Sequence, residues 1–134
     1  MRVFGTLGRL VKGGSLAYPR QVVDELARAQ PPDLPFKFAK HNFARMQYDQ
    51  PDEDCVREVM QRAGGVVDPR KISEDADPYV LAMALCLKRA GHEAIVVTED
   101  GVDRPWRISM ATACGLLRLP WEGINDCLHA HRLL

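Results

Sequence analysis

Residues 77–98 constrain the fold of this chain more than any other segment. Asp77 and Pro78 are residue types that favour the start of a helix, and the apolar residues that follow continue until Gly91. The predicted helix is apolar nearly all round, which indicates burial. Residues 94–98 then form a continuous run, Ala-Ile-Val-Val-Thr, of the kind found in strands covered on both faces of a parallel sheet. A buried helix that leads into a buried strand predicts an α/β fold.

The rest of the chain carries weaker patterns of the same two kinds. Apolar residues at helical spacing predict helices over residues 2–12, from Pro19 onward, over 36–46, over 52–62 with Asp52 as N-cap, over 106–116 and over 125–132. Short apolar runs predict strands at residues 16–18, at 66–67 and within 117–124. Helix, strand and helix alternate through the second half. We therefore expect a three-layer α/β/α sandwich with a mainly parallel sheet.

Length and composition limit the classes of protein to consider. The chain has 134 residues, which suffices for one domain with its own core, so we expect a single domain over residues 1–134. Eighteen basic and eighteen acidic residues give zero net charge, which excludes attraction to nucleic acid through overall charge. No apolar run reaches the roughly 20 residues of a membrane span. Four widely spaced cysteines in apolar segments indicate reduced thiols and predict a cytoplasmic protein.

Three acidic residues occupy positions that an α/β fold would bring together. Asp100 follows the strand predicted at residues 94–98, Asp77 heads the helix before it, and Glu25 borders the apolar stripe of an earlier helix. The functional crevice of an open parallel sheet lies beyond the carboxyl ends of its strands. Carboxylates that converge there repel each other unless a cation neutralises them, and Mg²⁺ or Mn²⁺ prefers such oxygen ligands. The pattern predicts a magnesium site.

Each of these acids also has a purely structural interpretation. Glu25 could be a surface residue of an amphipathic helix, Asp77 a helix cap, and Asp100 a turn residue. The neighbouring acids Asp75 and Glu99 are the residues most easily confused with the true ligands.

Three segments of the sequence resemble the PIN-domain nucleases, in particular the VapC-like toxins and related PIN-like proteins. These segments are Val-Val-Asp-Glu-Leu at 22–26, Ala-Asp-Pro-Tyr-Val-Leu-Ala-Met-Ala at 76–84 and Ile-Val-Val-Thr-Glu-Asp at 95–100. The resemblance implies a metal-dependent ribonuclease, with Glu25, Asp77 and Asp100 as metal-binding and catalytic acids and Thr98 beside them. It also implies RNA as substrate, an antitoxin protein as partner, and a homo-oligomer.

The chain departs from this family at its amino terminus. Members of the family begin with a strand that carries a fourth acid, whereas no Asp or Glu precedes Asp24 here. Three explanations remain: a start codon assigned too late, a strand supplied by a partner chain, or a protein that kept the fold and lost the chemistry. We expect a dimer that fills the sheet or a smaller, rearranged sheet. The alternative function is a catalytically incomplete module that binds RNA or protein.

Basic and aromatic residues of the last third of the chain have two interpretations each. Arg104, Arg107 and Arg118 could contact phosphate near Asp100, although such residues are more often simply solvated. Trp106 and Trp121 are predicted to be core or interface anchors rather than base-stacking platforms.

Overall fold

The computed structural model describes residues 2–28 and 33–131, with side chains from residue 7 onward. The chain forms two compact units, Met1–Gln50 and Pro51–Leu134. Most of the described residues lie in helices. No helix within the described residues has both the length and the apolar character needed to cross a membrane.

The first unit contains three described helices. They are α1 (Arg2–Lys12), α2 (Arg20–Ala27) and α3 (Leu34–Phe43). Gly14 follows α1 in the left-handed conformation, with a φ angle of 83°, which glycine adopts without steric cost. Asp33 caps α3 by accepting a hydrogen bond from the backbone N–H of Phe36 at 3.1 Å. Tyr18 donates from its hydroxyl to the carbonyl oxygen of Ala39 at 2.8 Å, which ties the segment before α2 to α3.

The second unit contains four described helices and two very short strands. In chain order these are α4 (Glu53–Ala63), a 3₁₀ turn (Gly64–Val66), α5 (Asp77–Arg89), β1 (Val96–Val97), α6 (Met110–Leu117), β2 (Trp121–Glu122) and α7 (Ile124–Ala130). The core lies among α4, α5 and α6, and its fully or almost fully buried side chains include Val59, Leu81, Leu85, Cys114 and Leu117. Asp52 caps α4 through the backbone N–H of Cys55 at 2.8 Å, which confirms the predicted N-cap.

The sheet of the second unit has two strands among the described residues. β1 and β2 pair in parallel, with Val96 opposite Trp121 and Val97 opposite Glu122. Val96 is 3% exposed, but the adjacent Ile95 is 52% exposed. The apolar run at residues 94–98 is therefore covered on one side only.

The predicted three-layer α/β/α sandwich of the PIN type is wrong. The protein is mostly helical, and its sheet is limited to four residues in the described part of the chain. The predicted strands at residues 16–18 and 66–67 do not form, and Val66 belongs instead to a 3₁₀ turn. A parallel strand is buried on both faces only where helices pack on both sides of a larger sheet, and here β1 pairs with β2 alone among the described residues. Two of the helix predictions are more accurate than the strand predictions, because α1 and α4 lie within one residue of their predicted bounds.

Candidate functional site around Arg107

Asp100 lies in the loop between β1 and α6, close to the start of α6. Its Oδ2 atom accepts hydrogen bonds from Arg107 Nη2 at 2.6 Å and from the backbone N–H of Met110 at 3.2 Å. The backbone N–H of Asp100 donates to the hydroxyl oxygen of Thr98 at 3.0 Å. Thr98 therefore supports the turn that carries Asp100. The carboxylate of Asp100 contacts both Arg107 and the first residue of α6.

Asp77 is the first residue of α5, but its side chain does not cap that helix. The preceding residue, Ala76, occupies the cap position, and no side chain there accepts a hydrogen bond. The carboxylate of Asp75 takes over this function, because it accepts hydrogen bonds from the backbone N–H groups of Asp77 at 3.1 Å and Asp68 at 3.2 Å. The carboxylate of Asp77 instead lies 3.8 Å from Nη1 of Arg107.

Arg107 is the cation between these two acids. Its side chain is 19% exposed, and it also donates to the carbonyl oxygen of Ile108 at 3.2 Å. Burial lowers the pKa of Arg107, but the hydrogen bond to Asp100 and the charges of Asp100, Asp77 and Asp75 outweigh it, so that the pKa lies above its ordinary value. The guanidinium is therefore a permanent positive charge between the carboxylates of Asp77 and Asp100.

The third predicted ligand lies in the first unit. Glu25 is a half-buried residue of α2, whereas Asp77 and Asp100 belong to the second unit. Its assignment as a metal ligand stays a prediction.

The residues around Arg107 do not fit Mg²⁺ or Mn²⁺. Mg²⁺ requires near-octahedral oxygen ligation at about 2.1 Å, and the guanidinium of Arg107 bridges the two carboxylates that would supply it. Among the described residues, neither acid belongs to a group of three potential ligands close enough to hold an ion. The arginine supplies the positive charge that the sequence pattern assigned to a metal.

The segment that carries Arg107 is a tight turn with an exposed tryptophan. The backbone N–H of Arg104 donates to the carbonyl oxygen of Arg107 at 2.9 Å, and the reverse hydrogen bond is 3.3 Å long. Pro105 and Trp106 form the tip of this turn, residues 104–107, which we name the Trp106 turn. Trp106 is 40% exposed, and the guanidinium carbon of Arg70 lies 3.7 Å from its ring centroid.

Trp106 and Trp121 are 40% and 44% exposed, so neither lies in the core, and the alternative that they anchor an interface stays a prediction. The contact between Trp106 and Arg70 was missed because the two residues lie in different loops. The only local signal was the turn sequence itself, in which proline precedes an aromatic residue between two arginines.

A second group of polar side chains lies away from the Trp106 turn, between α4 and α5. The potential ligand atoms of Asp52, Cys55 and Cys86 lie within 4.8 Å of one another, and they form the one such group of three among the described residues. Burial raises the pKa of the Cys55 thiol to about 12, and hydrogen bonds with Cys86 and Asp52 add to the shift. The pKa of Asp52 is lowered, chiefly because its carboxylate accepts a hydrogen bond from the Cys55 N–H.

No protein-family model, no curated protein and no solved structure matches this chain. The geometry of these side chains is therefore what any functional proposal must rest on.

Proposed function

We propose that the protein binds single-stranded RNA without cleaving it, and that the Trp106 turn is the contact surface. The observation that carries this proposal is the stack of Arg70 on Trp106. Trp106 stays 40% exposed while the guanidinium carbon of Arg70 lies 3.7 Å from the centre of its ring. Unpaired bases stack on aromatic rings and on arginine planes, and this stacking tolerates any base sequence.

The charges around the turn are local, as a protein of zero net charge requires. Arg70 and Arg104 are exposed residues beside Trp106, and arginine binds phosphate through a planar set of donors. Arg70 also lies 3.6 Å from Asp68, but the side chain of Arg70 is 62% exposed, and water weakens its attraction to the carboxylate. Phosphate can therefore compete for Arg70 at little cost.

The network around Arg107 supports binding without cleavage. An Mg²⁺ ion held by Asp77 and Asp100 for hydrolysis would need the position that the guanidinium of Arg107 occupies between them. In this proposal Arg107 fixes the base of the Trp106 turn through Asp100, and the exposed residues of the turn contact the RNA.

The proposal is tested by the anisotropy of a fluorescein-labelled single-stranded RNA of mixed sequence, titrated with protein in the presence of EDTA. Loss of one stacked base costs about 1–3 kcal/mol, so Trp106→Ala should weaken binding by about 5- to 150-fold. Trp121→Ala is the matched control, because Trp121 is 44% exposed and its indole lies near Gly101. Its affinity should equal that of the wild type.

Two results would overturn the proposal. One is the absence of saturable RNA binding by the wild-type protein, and the other is an equal loss of affinity in the two tryptophan variants. RNA that stays intact when the protein is incubated with Mg²⁺ in place of EDTA supports the non-cleaving part.

A metal-dependent ribonuclease, with an antitoxin as partner, is the second candidate. The observation that favours it is that Asp77 and Asp100, which lie far apart in the chain, are both near Arg107. In this candidate Mg²⁺ or Mn²⁺ would have to displace the guanidinium of Arg107 from between them. Incubation of labelled RNA with Mg²⁺ or Mn²⁺ tests it. Cleavage that EDTA abolishes and that Asp77→Ala removes would favour this candidate over the first. Cleavage that persists in the Asp77→Ala variant would assign the activity to a different site or to a contaminant.

A further inference from the structure

The side chains of Asp52, Cys55 and Cys86 converge at the contact between α4 and α5. Asp52 is the N-cap of α4, Cys55 lies in its first turn, and Cys86 lies near the carboxyl end of α5. The oxygen and the two sulfur atoms lie within 4.8 Å of one another. Two well-packed helices therefore hold three potential ligands in fixed positions.

The chemistry of these donors selects a particular class of cation. Thiolates favour borderline and soft metal ions, and Zn²⁺ binds cysteine sulfur at about 2.3 Å and carboxylate oxygen at about 2.0 Å. Tetrahedral ligation at these lengths places neighbouring donors about 3.5–3.8 Å apart. Side-chain movements of about 1 Å would bring the three donors of this cluster to that spacing.

Helix capping does not compete with this ligation. Asp52 accepts the N–H of Cys55 through Oδ1, and a carboxylate has a second oxygen that can bind a metal. Asp52 is exposed, so water can reach the fourth position of a tetrahedral ion.

The electrostatic surroundings suit a zinc ion with three anionic ligands. Two thiolates and one carboxylate give such a centre a net charge of −1, which a nearby cation stabilises. Arg89 supplies this charge, because its Nη1 atom lies 4.0 Å from the sulfur of Cys55. The same guanidinium contacts Glu58, which fixes its position beside the cluster. Arg89 therefore lies at the edge of the ligand group, where it balances charge.

We propose that Asp52, Cys55 and Cys86 form a binding site for Zn²⁺, with water as the fourth ligand. The ion would join the first turn of α4 to the carboxyl end of α5. This site is independent of the RNA-binding proposal, which rests on other residues.

Cobalt substitution tests the site in the 134-residue chain, reduced with a phosphine and stripped of metal by a chelator. Co²⁺ bound to cysteine thiolates absorbs in the near ultraviolet through sulfur-to-metal charge transfer, and tetrahedral Co²⁺ absorbs strongly in the visible. Titration of the wild type with Co²⁺ should give both bands at one equivalent, and Zn²⁺ should remove them by displacement.

Three variants separate ligation from folding. Cys86→Ala should lose the charge-transfer band at one equivalent, whereas Cys127→Ala, a half-buried cysteine outside the cluster, should retain it. Asp52→Asn keeps a good helix cap but removes the charged ligand, so it should bind Co²⁺ at least about tenfold more weakly while its circular dichroism spectrum stays unchanged. The proposal is overturned if the wild type shows no band, or if Cys86→Ala and Asp52→Asn bind Co²⁺ as tightly as the wild type.

Discussion

The second unit contains two groups of anionic or potentially anionic side chains that differ in where their positive charge lies. In the first, the guanidinium of Arg107 lies between Asp77 and Asp100 and contacts both. In the second, Asp52, Cys55 and Cys86 face one another, and Arg89 lies beside them. In an acidic cluster with a cation between its carboxylates, that cation reduces their repulsion and occupies the position of a metal ion, whereas a cluster with the cation at its edge can still accept a metal. Proximity of acids alone therefore does not indicate a metal site.

The largest expected effect comes from removal of the enclosed cation. Arg107→Met keeps an apolar stem but leaves the two carboxylates without their counter-charge. Breaking a fully buried ion pair costs about 3–5 kcal/mol, and the partial exposure of these carboxylates reduces the expected loss to about 2–3 kcal/mol. The side chains of Asp77 and Asp100 are 33% and 27% exposed. Urea unfolding of the variant and the wild type at neutral pH measures the difference.

Arg57→Met is the matched control for this experiment. Arg57 contacts Asp54 at 2.9 Å, but the two side chains are 62% and 86% exposed. The loss should be below about 0.5 kcal/mol. Equal losses in the two arginine variants would contradict the role given to Arg107. Stabilisation of the wild type by Mg²⁺ would contradict the conclusion that the guanidinium takes the place of this ion.

The second prediction concerns the cluster with its cation at the edge. Zn²⁺ at ten times its dissociation constant should stabilise the reduced wild type by about 1.4 kcal/mol, because a ligand of the folded state shifts the unfolding equilibrium. Urea unfolding with and without Zn²⁺ measures this shift. Cys127→Ala should show the same stabilisation and Cys86→Ala none. A shift of equal size in Cys86→Ala would indicate that the ion binds elsewhere.

The third prediction separates the two functions assigned to Asp52. Without metal, Asp52→Ala should unfold at lower urea concentration than the wild type, since alanine cannot cap α4. Asp52→Asn should unfold close to the wild type, because asparagine caps nearly as well. With Zn²⁺ the wild type should gain more stability than either variant. An Asp52→Asn variant that gains as much as the wild type would show that this residue is a cap only.

The helices could be predicted from the sequence because their signals are local. Asp52 with its downstream apolar spacing gave the start of α4, and the glycines after residue 63 gave its end. The sheet could not be predicted, since the apolar run at residues 94–98 carries no information on how many strands will pair with it. Two residues of that run pair with β2, and Ile95 stays exposed.

The candidate sites show the same limit. Asp77 heads the helix before the strand predicted at residues 94–98, and Asp100 follows that strand, so the sequence predicted that the two acids lie close together. Both carboxylates do lie near one side chain. The sequence could not show that this side chain is Arg107, because its position depends on the path of the segment between β1 and α6. That segment has no periodic pattern from which its path could be predicted. Likewise, Asp52 and Cys55 share one helical turn in the sequence, but only the packing of α4 on α5 brings Cys86 to them.

The smallest expected effect concerns Asp103, which anchors the segment that carries Arg107. Its Oδ1 atom accepts hydrogen bonds from the backbone N–H of Ser109 at 2.8 Å and from the hydroxyl of Thr112 at 2.7 Å. The hydrogen bond from Ser109 is the main cause of its lowered pKa. A carboxyl group whose pKa is lower in the folded state contributes stability above its unfolded pKa, and this contribution disappears as the pH falls through the folded value.

Asp103→Asn should therefore be less stable than the wild type at pH 7, because a neutral acceptor makes weaker hydrogen bonds than a carboxylate. The difference should shrink as the pH falls below the ordinary aspartate value of 3.8. Urea midpoints of both proteins measured from pH 7 to pH 3 give this profile. A difference that stays constant over the whole range would show that the charge of Asp103 does not stabilise the segment. In that case the charge of Asp103 would have no part in positioning Arg107.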